Sequence, residues 1–238
     1  MTIQEFSDQF DILVNTYIRE YPMGKQDMLS FDEYEKSLFL SKAQEEFVVS
    51  CYDGKNQYGY LFEHTEEDRR MLDSLIRTRE LQQSSFSAQS KPISISDNSY
   101  FYTLPNDLLF ITYENCRFTD KENECIDNKK VIVVPTTQDE FHKIENNPFR
   151  QANDNRVLRL DYNGNTVELV SKHNIAKYTI RYVSKPKPIV LVDLPEELSI
   201  DGIYYPNGCQ LADFTHRRIL DGAVRMALQS RSIGFNDK

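Results

Sequence analysis

The sequence predicts an α+β protein, a helical body carrying a β-rich insertion. Apolar residues recur at helical spacing near both ends of the chain, and short alternating runs of Ile, Val, Tyr and Phe fill the middle, with the change of texture at Lys91. The body is expected over residues 1–90 and 206–238, with the final helix packed on the first three. The antiparallel insertion is expected over residues 91–205.

Ile3, Phe6, Phe10, Leu13 and Tyr17 alternate three and four apart, with acids between them, so residues 2–20 read as an amphipathic helix ended by Tyr21-Pro22-Met23-Gly24. Ser30-Phe31-Asp32-Glu33 fits a capping box that opens a second helix, running to Cys51 or Tyr52, with Tyr34, Leu38, Ser41, Phe47 and Val48 as packed positions. A third helix starts near Thr65. Its leading acids Glu66, Glu67 and Asp68 and trailing Arg69, Arg70, Arg77 and Arg79 match the helix dipole, so its end is expected among Gln82–Ser85.

Beyond Lys91, the alternation Ile93-Ser94-Ile95 and the run from Tyr100 to Leu104 read as strands, the second closed by a turn at Pro105-Asn106-Asp107. Leu108–Tyr113 and Val131–Val134 are also strand-like, on either side of a charged surface loop over residues 119–130. Thr137 can cap a short helix over residues 138–144, closed by Asn146-Asn147-Pro148. Val157–Leu160 and Thr166–Val170 flank Asn163-Gly164, a strong hairpin signal because Asn-Gly accepts the positive φ of a tight turn. A strand over residues 178–183 leads into the proline-punctuated stretch around Pro186 and Pro188. The last helix begins at about Leu211 or Phe214 and runs to Ser230, with Ile219, Leu220, Ala223, Val224, Ala227 and Leu228 on one face and Arg217, Asp221 and Arg225 on the other.

A chain of 238 residues, 39% hydrophobic, is long enough and apolar enough to bury a sizeable core. No apolar run of about 18 residues or more occurs, and no basic-then-apolar leader opens the chain, so a cytosol-like compartment is expected. Cys51, Cys116, Cys125 and Cys209 form no CxxC, and the nearest pair is separated by eight residues, which points to reduced, mostly buried thiols. The net charge of −9 is uneven. Residues 1–100 hold 18 acids against 10 Lys and Arg, whereas residues 151–238 hold 10 against 12. This balance argues against a dedicated DNA binder, whose affinity comes from clustered cations, but suits a surface that DNA slides past without sticking.

The eight glycines never form a phosphate-binding loop, and His64, His142, His173 and His216 are isolated from one another and from the cysteines. No cofactor and no metal is therefore expected. The pairs Glu45-Glu46, Glu66-Glu67 and Glu196-Glu197 read as solvated faces and caps rather than acid–base dyads. His216 could act as a base beside Asp213 or Asp221, but its place in the first turn of the last helix favours a bond to a loop or to a neighbouring chain. Arg217, Arg218, Arg225 and Arg231 form the one basic patch of an acidic chain. They could meet DNA phosphates or acidic groups of a partner, or belong to an ordinary solvated helix face.

Several segments, taken in order, carry a resemblance. Phe31–Glu46 looks like an early adaptor helix, and Leu104-Pro105-Asn106-Asp107-Leu108 like a strand-turn that follows it. Arg181-Tyr182, Pro186, Pro188-Ile189, Asp201-Gly202, Cys209-Gln210-Leu211 and His216–Val224 look like the C-terminal part. Together they resemble the head-to-tail adaptor and connector ring proteins of short-tailed, podovirus-type phages, including the crAss-like group. That resemblance implies a structural virion protein of the neck or tail, assembled in the host cytoplasm. It implies a dodecameric homo-oligomeric ring that binds the portal and other ring proteins around passing genomic DNA, without sequence specificity, membrane contact or enzymatic activity. His216, Arg217, Arg218, Arg225 and Arg231 are the partner-interface candidates, and Tyr58, Tyr60, Phe62, Tyr204 and Tyr205 would suit contacts between subunits. The alternative is a small hydrolase or wall-degrading tail component in the β-rich middle, using carboxylates such as Asp107 and Glu114.

Overall fold

The structure is a computed structural model that describes residues 1–20, 30–53, 66–85, 92–96, 98–120, 123–162 and 164–233. The turn at residues 21–24, the start of the third helix at Thr65, the aromatic residues 58, 60 and 62, His64 and the last five residues lie outside the described residues. In chain order the elements are α1 (Ile3–Glu20), α2 (Glu33–Tyr52), α3 (Glu66–Leu72), β1 (Ile76–Leu81), β2 (Ser99–Thr103), β3 (Leu108–Thr119) and β4 (Lys130–Thr136). Then come α4 (Gln138–Glu145), β5 (Arg156–Asp161), β6 (Thr166–Val170), β7 (Asn174–Ser184) and α5 (His216–Ile233). This is the expected α+β class. The chain forms two compact units, one of residues Met1–Leu75 with Lys185–Lys238 and the other of Ile76–Ser184.

In the helical unit, α5 packs on α2 and α1. The buried stripe of α1 is Phe6, Phe10 and Val14, four apart, which leaves Ile12 exposed. The cap of α2 sits two residues later than expected. Asp32 accepts from the Glu35 N–H at 2.7 Å while Glu35 reaches back to the Asp32 N–H. The later start keeps Phe31 outside the helix, where it is buried edge-on against Phe10 at 5.7 Å between ring centres. Leu38, expected to pack, is exposed; the buried face of α2 includes Lys36, Ser37, Leu40, Ser41, Ala43 and Gln44. A Cβ at Gly222 would stand 3.5 Å from the Ala43 Cβ, so α5 approaches α2 closely through its one glycine.

The third helix is shorter than expected. It ends at Leu72, a 3-10 turn follows over Asp73–Leu75, and Ile76–Leu81 forms β1. Arg69 and Arg70 do stand in the last turn of α3, whereas Arg77 and Arg79 stand on a strand, because β7 supplies a ladder from Ile76↔Val183 to Leu81↔Tyr178 that outweighs local charge preference.

The second unit is a seven-stranded sheet in the order β1-β7-β3-β4-β5-β6-β2. All its pairings are antiparallel except β4 with β5, which run parallel because α4 makes the crossover between them. Register shifts at three places along β3 add local twist. The sheet curls until its edges meet: just past β1, Gln83 bridges Tyr102 of β2, and the Ser84 N–H donates to the Phe101 carbonyl at 2.8 Å. Inside lie Tyr102, Cys116, Phe118, Val157, Leu169, Tyr178 and Tyr182, all essentially buried. Outside, α4 lays Phe141 and Ile144 over Leu158, Leu160 and Val170. The β5–β6 turn has the expected positive φ, +68° at Gly164. Ile93–Ile95, expected as a strand, forms none: Ile93 is exposed, and the Ile95 N–H donates to the Glu168 carboxylate at 2.9 Å.

Candidate functional site

The basic face of α5 and the segment before it make up the candidate surface. Leading into it, residues 185–191 run as an extended arm tied to α2 by side chains rather than by a strand, and a 3-10 turn at Glu196–Leu198 lies in the hairpin that follows. Ser41 Oγ stands 3.0 Å from both the N–H and the carbonyl oxygen of Ile189, Ser37 Oγ accepts from the Leu191 N–H at 3.0 Å, and Gln44 Nε2 donates to the Lys187 carbonyl at 2.8 Å. Positions 37, 41 and 44 lie on one helix face, so three polar side chains meet the backbone polar groups of a buried extended segment that has no sheet neighbour there. The prolines fit this role, since Pro186 and Pro188 have no N–H to satisfy.

The other edge of the arm folds on itself. Val190 and Asn207 exchange two backbone hydrogen bonds of 2.9 Å, Leu194 N–H donates to the Tyr204 carbonyl at 2.7 Å, and Ile200 pairs with Ile203 across Asp201-Gly202. Both turn residues have positive φ, +49° and +78°, the conformation of a tight two-residue hairpin turn. Lys185 reaches Asp201 at 2.7 Å and Glu45 at 3.0 Å. The hairpin leaves Tyr204 43%, Tyr205 49%, Leu198 44% and Val192 40% exposed.

The five candidate residues divide. His216 is buried inside its own chain: Nε2 donates to the Leu211 carbonyl at 2.9 Å, which leaves Nδ1 to accept from the Met1 ammonium at 2.8 Å, and its ring tilts against Phe6. It anchors the start of α5 to α1. Arg217, Arg218, Arg225 and Arg231 are exposed. Arg218 pairs with Glu67 at 3.4 Å, while Arg231 pairs with Glu35 at 3.4 Å and lies over the Phe31 ring. Among the described residues, Arg217 and Arg225 have no carboxylate partner.

The carboxylates of the hydrolase alternative are occupied. Glu114 is nearly buried, paired with Arg159, and accepts from the Tyr178 hydroxyl at 2.6 Å. Burial pushes its carboxyl up from the ordinary value, against the pull of Arg159 and Tyr178. Asp107 accepts from the Tyr182 hydroxyl at 3.2 Å. His173 contacts Asp154 at 2.8 Å, and Lys172 with His173 holds that exposed carboxyl down to about 2. Cys51 and Cys116 are buried, Cys209 half-buried with its thiol pushed up by burial to about 11, and Cys125, contrary to the general expectation, is exposed. No group of three or more metal-ligating side chains occurs among the described residues.

The sequence profile of the phage tail ring protein 3/4 family matches residues 1–238. The chain belongs to that family. It is 42% identical over 233 residues to Ring protein 3 of Bacteroides phage crAss001, covering 98% of this chain and 97% of the relative. It is 27% identical over 238 residues to Ring protein 4/5 of the same phage, covering 95% and 92%. This ring protein is thus a structural component of a crAss-like phage tail and not an enzyme. Ser41, expected to pack, does so, but Ser37 and Gln44 escape sequence reading because polar residues on a helix ordinarily signal solvent. Only the partnering backbone reveals their role.

Proposed function

We propose that this ring protein is a subunit of a head-to-tail connector that joins the portal to the tail and surrounds the path of the genome. The observation that carries the reading is end-to-end similarity to a phage ring protein, over 98% of this chain and 97% of the relative. The physics agrees. A ring subunit needs two unlike side surfaces that associate head to tail and close by rotation, and it needs no substrate cavity. A net charge of −9 keeps a DNA-facing wall from gripping passing phosphate. The twelvefold symmetry of a portal sets the expected copy number. Assembly takes place in the host cytoplasm, and Arg217, Arg218, Arg225 and Arg231 serve as contacts to protein partners.

Electron microscopy of the purified protein with and without its portal tests this. Coaxial rings seated on the portal, twelvefold in symmetry, are expected. Monomers persisting beside bare portals overturn it.

A further inference from the structure

We infer that the 190–207 hairpin of one subunit docks on the exposed Arg217/Arg225 face of α5 in the next copy, forming the repeating contact of the ring. The inference rests on the ring reading and specifies which two surfaces meet.

Charge divides sharply between the two surfaces. The 190–207 hairpin holds four carboxylates, Asp193, Glu196, Glu197 and Asp201, and not one lysine or arginine. By contrast α5 holds four arginines, at 217, 218, 225 and 231, against one acid, Asp221. Within the chain this complementarity is largely unused. Asp201 is taken by Lys185, but Asp193, Glu196 and Glu197 stand exposed, and Arg217 and Arg225 find no carboxylate among the described residues. Two unlike, complementary patches on one subunit are what a heterologous contact requires; a self-complementary patch would give a closed dimer instead.

The hairpin also has the composition of an interface centre. Tyr204 and Tyr205 meet edge-on at 5.9 Å and, with Leu198 and Val192, present an apolar and aromatic surface amid the acids. Arginine guanidiniums lie well on tyrosine rings while pairing with carboxylates beside them. On the receiving side Phe214, 54% exposed just before α5, adds an apolar contact next to Arg217. The hairpin is held for this purpose: its base is fixed to α2 by Ser37, Ser41 and Gln44, so docking costs little ordering entropy.

Two charge-reversed variants of the full chain test the contact. Arg217→Glu with Arg225→Glu makes both patches acidic, and Asp193→Arg with Glu196→Arg and Glu197→Arg makes both basic. Each alone should require at least about 100-fold more protein to form rings than wild type, because like charges are brought together. Mixed in equal amounts they should form rings again, since every junction in an alternating ring pairs opposite charges; that rescue also shows both variants folded. If either variant assembles as wild type does, or the mixture stays unassembled, the contact is overturned. If both variants form normal rings but fail to join portal or neighbouring ring protein, the patches serve a different partner and the inference is again overturned. Failure of the wild type to form rings even with portal overturns the ring reading itself, and the contact with it.

Discussion

The carboxylate of Glu114 sits on the inner face of β3, where Arg159 from β5 and Tyr178 from β7 both reach it. Read in isolation, a carboxylate near the start of a β-rich region suggests acid–base chemistry. In the fold it is a packing element whose partners come from strands 45 and 64 residues away. Its pKa is raised, burial being the larger influence, so the folded state holds its proton more tightly than the unfolded chain does. The stabilisation from that preference is complete below the ordinary value of 4.5 and is lost as pH rises through the raised folded value. Glu114→Gln, which stays neutral, should therefore gain in stability relative to wild type as pH rises above about 4.5, as measured by urea unfolding across pH 4.5 to 8. A difference that stays constant with pH would contradict this. Lys36 is the opposite case. Burial alone would lower its pKa, but Asp11 at 2.7 Å and Glu33 at 2.9 Å together raise it, so the ammonium stays charged inside the helical unit.

The element that most needs explanation is the arm after β7. An extended segment buried against a helix would leave N–H and C=O groups without partners, at about 1–3 kcal/mol each. The serines at 37 and 41 and the glutamine at 44 remove that cost, at positions where an apolar helix face would have offered nothing. Ser41→Ala takes away the partner of both the Ile189 N–H and its carbonyl, so a loss of about 2 kcal/mol in unfolding free energy is expected from urea titration. Ring formation should weaken too if the hairpin docks as inferred, because its base would no longer be fixed. A change under about 0.5 kcal/mol, the range of ordinary surface substitutions, would show that water replaces the hydroxyl there. α5 depends on a complementary economy: Gly222 has room for a methyl group at ordinary contact distance from Ala43, but not for a branched side chain without displacing one helix from the other.

For the whole molecule, the notable fact is that the chain leaves one unit at Leu75 and returns to it at Lys185. The two crossings flank residues that are themselves partners, since Ile76 is paired with Val183 at the start of the β1–β7 ladder. The ends of the inserted unit are therefore adjacent. A polypeptide of residues 76–184 should fold by itself into the closed sheet, and the remainder, joined from 75 to 185 by a short Gly/Ser linker, should fold as the helical unit. Cooperative thermal unfolding of each, with strand-type and helix-type circular dichroism respectively, is the expected outcome. A non-cooperative 76–184 fragment would mean that the sheet depends on its host.

The α+β class, the helical ends, the β-rich middle, the Asn-Gly turn and the basic stripe of α5 were all legible in the sequence, because each depends on spacing within a few residues. The cap of α2 was misplaced by two positions, since Ser30 and Asp32 both offer a capping oxygen and only the burial of Phe31 against Phe10 chooses between them. The segment after α3 was misread because its arginines suit a helix end equally well until β7 supplies a ladder. Tertiary structure alone decided which strands are neighbours, that the sheet closes through Gln83 and Ser84, that His216 faces inward, and that Ser37, Ser41 and Gln44 hold an arm. The physical reason is common to all four: periodicity is written locally, whereas a hydrogen-bond partner in another segment, whether Phe101 for Ser84 or Ile189, 148 residues away, for Ser41, leaves no trace in the spacing of either segment.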